Sequence, residues 1–310
     1  MHPGGPRFDG AVVPGGYAWW YVDALSADGA HGLTLIAFIG SVFSPYYAWA
    51  GRRAPENHVA INIALSSPRA SRWAMTERRA AALERSPAHL AIGPSHLHWT
   101  GDHLTIALDE ICAPLPQRIR GTIRVYPHAL VTQSFALDAE GRHVWQPVAT
   151  AARIEVELTS PALRWHGTAY FDSNFGATPL EDGFTHWDWS RAHLAHDTVV
   201  FYEGQRRDGS DFALALAFDA AGAARAVEAP PLAPLPRSAW RIPRTTRADA
   251  GQFATVNRTW TDSPFYARTQ LTTHLFGEPV SAIHESLSLT RFRSPLVRAM
   301  LPFRMPRTLR

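Results

Sequence analysis

The sequence predicts an all-β protein, with two antiparallel β-barrels in tandem and little helix. Three observations carry this prediction. Short β-branched or alternating apolar segments recur along the 310 residues. Turn signals separate them at short, regular intervals, as in meandering sheets closed into barrels. A faint internal repeat links the two halves: GYAWWYVDALSADG in the first half is answered by THWDWSRAHLAHD in the second.

The elements follow in order. YAWWYVDAL, LTLIAFIG, VAINIAL, RWAMTE, LTIALDE, RIRGTIRVYP and RIEVELT read as strands of the first barrel. TVVFYEGQRR, DFALALAFD and AIHESLSL read as strands of the second. SADG, TGD, DAEG, RRDGSD and DAAG are the turns, with DAEG and DAAG as hairpin tips. TERRAAALERS has helix-forming composition but also fits a strand followed by a loop. The repeat sets the barrels at 1–175 and 176–310. EAPPLAPLPR, residues 228–237, reads as an extended connection inside the second barrel.

The chain ends in SPLVRAMLPFRMPRTLR. Ser294 is a good N-cap and Pro295 a good first helical residue. Leu296, Val297, Met300 and Leu301 predict one apolar face, docked on a barrel. Arg298, Arg304, Arg307 and Arg310 add positive charge, so a peripheral membrane contact is the alternative reading.

Composition excludes several classes. Charged residues make up 18% and hydrophobic ones 46%, which leaves ample material for a core and argues against disorder. All 30 basic residues are arginines, scattered among acids, and the net charge is only +3. There is no basic stripe, so no nucleic-acid partner is expected. A single cysteine, Cys112, excludes an intrachain disulfide and a CxxC metal site. Residues 1–16 lack a secretory pattern, and the longest apolar run, LTLIAFIGSVF, is too short to span a bilayer. The expectation is a cytoplasmic protein. Eleven tryptophans and 15 phenylalanines predict either a large β core or an apolar cavity walled with rings.

Motifs for phosphate, dinucleotide, zinc-protease or serine-hydrolase chemistry are absent. His96 and His98 form an HxH pair on one strand face, but spacing identifies no third ligand, so no metal is expected. His284-Glu285-Ser286 reads as ordinary strand alternation. WHGTAYFDSNFG, residues 165–176, reads as a strand entering a turn at the junction of the two units. Asp172 within it is either a turn former or an acid kept protonated by Phe171, Phe175 and other rings. Asp188, between Trp187 and Trp189, is a second buried-carboxylate candidate, held in reserve as an acid. Arg72, Glu77 and Arg191 read as structural partners.

Several long strings carry a resemblance. GYAWWYVDAL, FIGSVFSPYYAWA, NHVAINIAL, RWAMTER, LRWHGTAYFDSNFGATPLEDGFTHWDWSR, DSPFYAR, GEPVSAIHESLSL and LPFRMP together resemble the bacterial acyclic carotenoid 1,2-hydratases, also called hydroxyneurosporene synthases. The similarity runs from about Gly15 to about Pro306. The family belongs to a wider group of two-barrel, lipocalin-like proteins, so the resemblance implies two lipocalin-like barrels. It implies cofactor-independent addition of water to the terminal C1=C2 bond of acyclic carotenes such as neurosporene and lycopene, giving a tertiary alcohol. It also implies a site built from an H-x-W pair, His143 and Trp145, and a Y-x-D pair, Tyr170 and Asp172.

The chemistry accounts for these residue types. Protonation of C2 leaves a tertiary cation at C1. Asp172 would be the acid, Trp145 and Tyr170 would stabilise the cation through their π faces, and His143 would orient the water and take its proton. Trp165, Phe171, Phe175, Trp187 and Trp189 would line the substrate site, and FIGSVFSPYYAWA an apolar tunnel. The substrate's insolubility implies access from a membrane, so the cytoplasmic protein would sit peripherally on the inner, photosynthetic membrane. Each residue also has an ordinary reading: His143 as a strand end beyond the AEG tip, Trp145 and Tyr170 as core aromatics. Two rival functions stay open: a lipid- or carotenoid-binding protein on the same barrels, and a cyclase that quenches the same cation with carbon.

Overall fold

The computed structural model describes residues 5–68 and 71–308; Arg310 of the basic tail and the first four residues of the leader reading lie outside them. The chain divides into two compact units. The first runs to Pro179 and is joined by the segment from Ala299 onward; the second is Leu180–Arg298. The sequence reading sets the division at 175/176.

The first unit holds β1 (Tyr17–Ser26), β2 (Gly32–Ile39), a short helix α1 (Pro45–Trp49), β3 (Val59–Ser66) and β4 (Arg72–Arg78). It continues with β5 (Leu83–Ser86), β6 (His89–Ile92), β7 (Ser95–Trp99), β8 (Leu104–Ile111) and β9 (Arg118–Pro127). It ends with β10 (Phe135–Ala136), β11 (His143–Ser160) and β12 (Ala162–Gly176). These strands form one antiparallel sheet in the order β4-β3-β2-β1-β12-β11-β9-β8-β7-β6-β5, with β10 beside β11. The sheet curls into a barrel, because β3 near one edge and β6 near the other place residues in a single core. Ile61 and Ile63 meet that core from β3, Leu90 and Ile92 from β6, and Ile154 and Val156 from β11. TERRAAALERS is not a helix: it is the end of β4, one 3₁₀ turn and β5.

β1 is buried on both faces. Ala18, Trp20, Val22 and Ala24 point into the core, so by strand alternation Tyr17, Trp19, Tyr21 and Asp23 share the opposite face. β1 lies between β2 and β12, which supplies partners on both sides. β11 carries two register shifts, between Pro147 and Ala149 and between Ala149 and Ala152. Proline has no N–H to offer the ladder, and a bulge is where a strand tolerates that.

The second unit holds α2 (Leu180–Gly183), β13 (Phe184–His193), β14 (Thr198–Arg206), β15 (Asp211–Phe218), β16 (Ala224–Ala226) and β17 (Leu232–Leu235). β18 (Arg244–Arg247), β19 (Thr255–Asp262), β20 (Tyr266–Leu275), β21 (Glu278–Ser288), α3 (Leu289–Phe292) and α4 (Pro295–Met300) follow, α4 crossing the unit boundary. Its main sheet runs β16-β15-β14-β13-β21-β20-β19, and β17 pairs with β18. EAPPLAPLPR contributes β17, extended within this unit. Val199, Phe201, Leu235, Leu271 and Ala282 gather in its apolar core.

The C-terminal segment departs from its expected docking. Pro295 does open α4, yet that helix buries none of its residues. Leu296 is 73% and Met300 42% exposed, so the expected apolar face is not packed away. Backbone and side chain together tie the segment down: Glu77 N–H donates to Pro306 and Thr308 N–H to Glu77, while Arg307 donates to the Glu77 carboxylate and to the Asn57 carbonyl and Met305 is buried. These bonds lie within the first unit.

Candidate active site

Asp172 sits in mid-strand, not in a turn. β12 continues to Gly176, with β1 on one side and β11 on the other. The Asp-Ser-Asn run that reads as turn chemistry is fully paired, and tertiary pairing overrides its local preference. Asp172 faces away from the first unit's core and is 4% exposed. Opposite it on β1 stands Tyr21, and on β11 Pro147.

Three side chains reach its carboxyl group. Trp145 Nε1–H donates to Oδ2 at 2.8 Å, and Tyr170 O–H donates to the same oxygen at 2.7 Å. Asn174 Nδ2 donates to Oδ1 at 3.3 Å. Trp145 Nε1 also lies 3.2 Å from the Tyr170 hydroxyl, so the three groups form a closed triangle. Strand alternation explains the grouping: Tyr170, Asp172 and Asn174 are successive same-face residues of β12. Trp145 is opposite Asn174 on β11, and its long indole reaches back two residues to the acid.

Burial holds the Tyr170 phenol well above the ordinary tyrosine value, with the neighbouring Asp172 carboxyl adding to the effect. Tyr170 is therefore a donor at neutral pH.

His143 is on the same sheet face but further along. It pairs with Gly176, four residues from Asp172, or roughly 13 Å of strand. Its Nδ1 lies 2.9 Å from the Tyr17 hydroxyl and its Nε2 3.2 Å from Thr178 Oγ1. Burial pushes the imidazole down to about 4, so it is neutral at pH 7. Asp138 fixes its backbone by accepting the His143 N–H at 3.1 Å.

The aromatic lining differs from the one expected. Phe171 points into the core from the opposite face of β12, and Trp165 does the same seven residues before Asp172. Phe175 also faces away and is 41% exposed. Neighbours in sequence alternate across a strand, so Phe171 and Phe175 cannot surround the acid between them. Trp187 and Trp189 belong to β13 of the second unit. The rings that share Asp172's sheet face include Tyr17, Trp19 and Tyr21 of β1, Phe38 of β2, Phe135 of β10, and Trp145 and Tyr170. Tyr17 stacks on Trp19 with ring centres 4.9 Å apart, and Phe38 tilts against Trp19 at 6.2 Å. Tyr17, Trp19, Tyr21 and Asn174 escape the sequence reading, although i,i+2 alternation in GYAWWYVD and YFDSN would have found them.

Other candidates separate from this group. Asp188 accepts Ser286 Oγ–H at 2.5 Å and Thr245 Oγ1–H at 3.1 Å, and burial pushes its carboxyl up to about 6. It belongs to the polar interior of the second unit. Glu77 binds His58 at 2.8 Å and also Arg307, Arg72 reaches Ser160, and Arg191 meets His193. His89 joins His96 and His98 on one sheet face, yet no metal-binding group of three or more ligands occurs among the described residues. The second unit also holds a cleft of about 760 Å³ lined by residues such as Leu194, Val199, Ala217 and Phe276.

The family model for carotenoid hydratase CrtC matches residues 35–310. The chain belongs to this carotenoid hydratase family. The acyclic carotenoid 1,2-hydratase of Thiocapsa roseopersicina is 54% identical over 98% of this chain and 76% of its own length. That of Rubrivivax gelatinosus is 52% identical with the same coverage. The Cereibacter sphaeroides hydratase is 44% identical over 88% of this chain and 98% of its own. Among solved structures, the Nitrosomonas europaea protein assigned as AttH superposes with a TM-score of 0.61 at 16% identity, over 92% of this chain and 99% of that one. CghA crystallised with Sch210972 gives 0.56 at 12% identity, over 89% of each chain. These likenesses concern the fold of the hydratase, an antiparallel β protein of the lipocalin-like, two-barrel kind.

Proposed function

We propose that this carotenoid hydratase adds water to the terminal C1=C2 bond of acyclic carotenes, with Asp172 as the acid. The observation that carries the reading is the buried Asp172 carboxyl group, with two donors on one oxygen and aromatic rings around it. A trisubstituted alkene offers no lone pair and must be protonated on carbon. With Oδ2 occupied by Trp145 and Tyr170, the transferable proton belongs on Oδ1. Its delivery to C2 creates a tertiary cation at C1. As Asp172 becomes a carboxylate, the two donors on Oδ2 strengthen, and so stabilise the charge that develops. The rings of Trp19, Tyr21, Trp145 and Tyr170 favour the cation through their π faces.

His143 has a different place in this scheme from the one the family resemblance implies. Its ring is engaged by Tyr17 and Thr178 and stands along the strand from the acid. It orders Tyr17 and the stacked Trp19 at the far end of the aromatic face. The carboxylate left on Asp172 is then the base that receives the proton of water.

The substrate must come from a bilayer. Among the described residues no helix is long and apolar enough to cross one. Exposed Met300 and Phe303 of the first unit, with Arg304 beside them, form the segment we assign to peripheral contact. The reaction is tested by supplying lycopene or neurosporene in vesicles with ¹⁸O-labelled water. A labelled tertiary alcohol is expected. Unchanged carotene would favour a carrier, and a cyclised product without label a cyclase.

A further inference from the structure

Hydration needs a seat for water beside C1, and His143 does not supply it. Asn174 does. Its Nδ2 donates to Oδ1 of Asp172, while Trp145 and Tyr170 donate to Oδ2. Its own Oδ1 is buried and has no hydrogen-bond partner among the described residues. Asn174 is 4% exposed, and it stands between Trp19 on β1 and Trp145 on β11. Buried amide oxygens are normally paired, and an unpaired one is a candidate for a bound water or ligand group. Here the orphan acceptor lies next to the working oxygen of the acid, between two indoles. The polar reactant small enough to join these two oxygens is water.

We propose that Asn174 seats the water that becomes the product hydroxyl, accepting one O–H at its Oδ1 while the other O–H points to Oδ1 of Asp172. This rests on the reading of Asp172 as the acid. The steps balance. The O–H bond of Asp172 breaks, and its proton forms the C2–H bond with the π pair of C1=C2. The water oxygen gives a lone pair to the C1 cation. The water proton facing Asp172 passes to the carboxylate, which restores the acid. The remaining O–H, held by Asn174, is the hydroxyl of the tertiary alcohol. Asn174 is a positioning residue: it touches water and leaves the carotene to the rings.

A cation without a seated water has another exit. It loses a proton from C2 or from a methyl group on C1, and returns an alkene. In D₂O that alkene carries deuterium. The experiment compares the parent with Asn174→Leu, using lycopene in phosphatidylcholine vesicles in D₂O. Mass spectrometry follows both hydrated product and deuterium in unhydrated carotene. The expected result is a fall in hydration of about tenfold or more, the scale of one lost buried hydrogen bond, with deuterium incorporation retained. Unchanged hydration overturns the proposal. So does an equal fall in hydration and exchange, which would mark Asn174 as merely structural. Asn174→Ala is read by the same ratio and covers the case in which the leucine variant does not fold. Asp172→Asn is the separate control: if it retains both activities, the acid assignment fails whatever Asn174 does.

Discussion

Two donors converge on Oδ2 of Asp172, and they set the polarity of the site. Trp145 has only an N–H to offer, and burial keeps Tyr170 protonated. Both bonds gain strength when the acid gives up its proton. Tyr170→Phe removes one of them at nearly constant volume, and Trp145→Phe removes the other together with part of the buried indole. Each is expected to lower kcat/KM for hydration about 10- to 100-fold, as loss of a hydrogen bond to a developing charge does. Initial rates with lycopene vesicles check this, and an unchanged rate in either variant contradicts the assigned role. The Tyr–Asp pairing was legible in the sequence, because i,i+2 spacing puts two side chains on one strand face. The third member, Asn174, lies one step further along the same alternation. It was hidden because Asp-Ser-Asn is also good turn chemistry.

At the scale of the element, β12 decides the site. It lies at the centre of the sheet, and its pairing with β1 and β11 carries the acid, the two indoles and the phenol into one place. The strand admits no side chain at Gly167, where a Cβ would overlap the Leu25 carbonyl on β1. Gly167→Ala is therefore expected to force β1 and β12 apart and cost about 1–3 kcal/mol, the usual scale of overpacking. Urea denaturation measures it, and a stability equal to the parent's contradicts the close approach. Strand existence was readable for β1, β2, β9 and β15, which are apolar or alternating. β5, β6 and β7 were not, because each has only four or five residues and no distinctive period. Nor was the continuation of β12, since a double-sided partner is a property of the sheet and not of the segment. Phe171 and Phe175 lie across the strand from Asp172 for a related reason: proximity in sequence is the wrong measure along a strand.

At the scale of the molecule, the faint repeat in the sequence has a physical basis in each unit. In both, the first strand pairs with the second and with the last: β1 with β2 and β12, β13 with β14 and β21. Paired tryptophans mark that central strand both times. The C-terminal segment was the least legible part, because its hold on β4 joins residues more than 200 apart in sequence, through a backbone bridge and the Arg307–Glu77 ion pair, which local patterning does not reveal. Buried ionisable groups in both units govern the response to acid. Burial pushes His143 and His284 down to about 4 from an ordinary 6.5, so the stability they contribute is complete above pH 6.5 and lost as pH falls through 4. Asp188 is pushed up to about 6, so its contribution is complete below pH 3.8 and lost as pH rises through 6. Each histidine contributes about 3 kcal/mol and Asp188 a similar amount in the opposite sense. Glu110, which burial also pushes up, acts in the same sense as Asp188, so the histidines' share is read by difference. Tm measured between pH 7 and 4 is expected to fall less in His284→Asn than in the parent. An equal change in the two contradicts a neutral, buried His284.

The central claim is that Asp172 delivers the proton, and the most direct test is the hydration rate of Asp172→Asn. The amide keeps the shape and burial but has no carboxylic proton to transfer. With folding checked by circular dichroism and carotene binding by quenching of tryptophan fluorescence, hydration is expected to drop about 10²- to 10⁴-fold, while binding stays within a few-fold of the parent. Turnover by a folded Asp172→Asn at a rate close to the parent's would contradict the account.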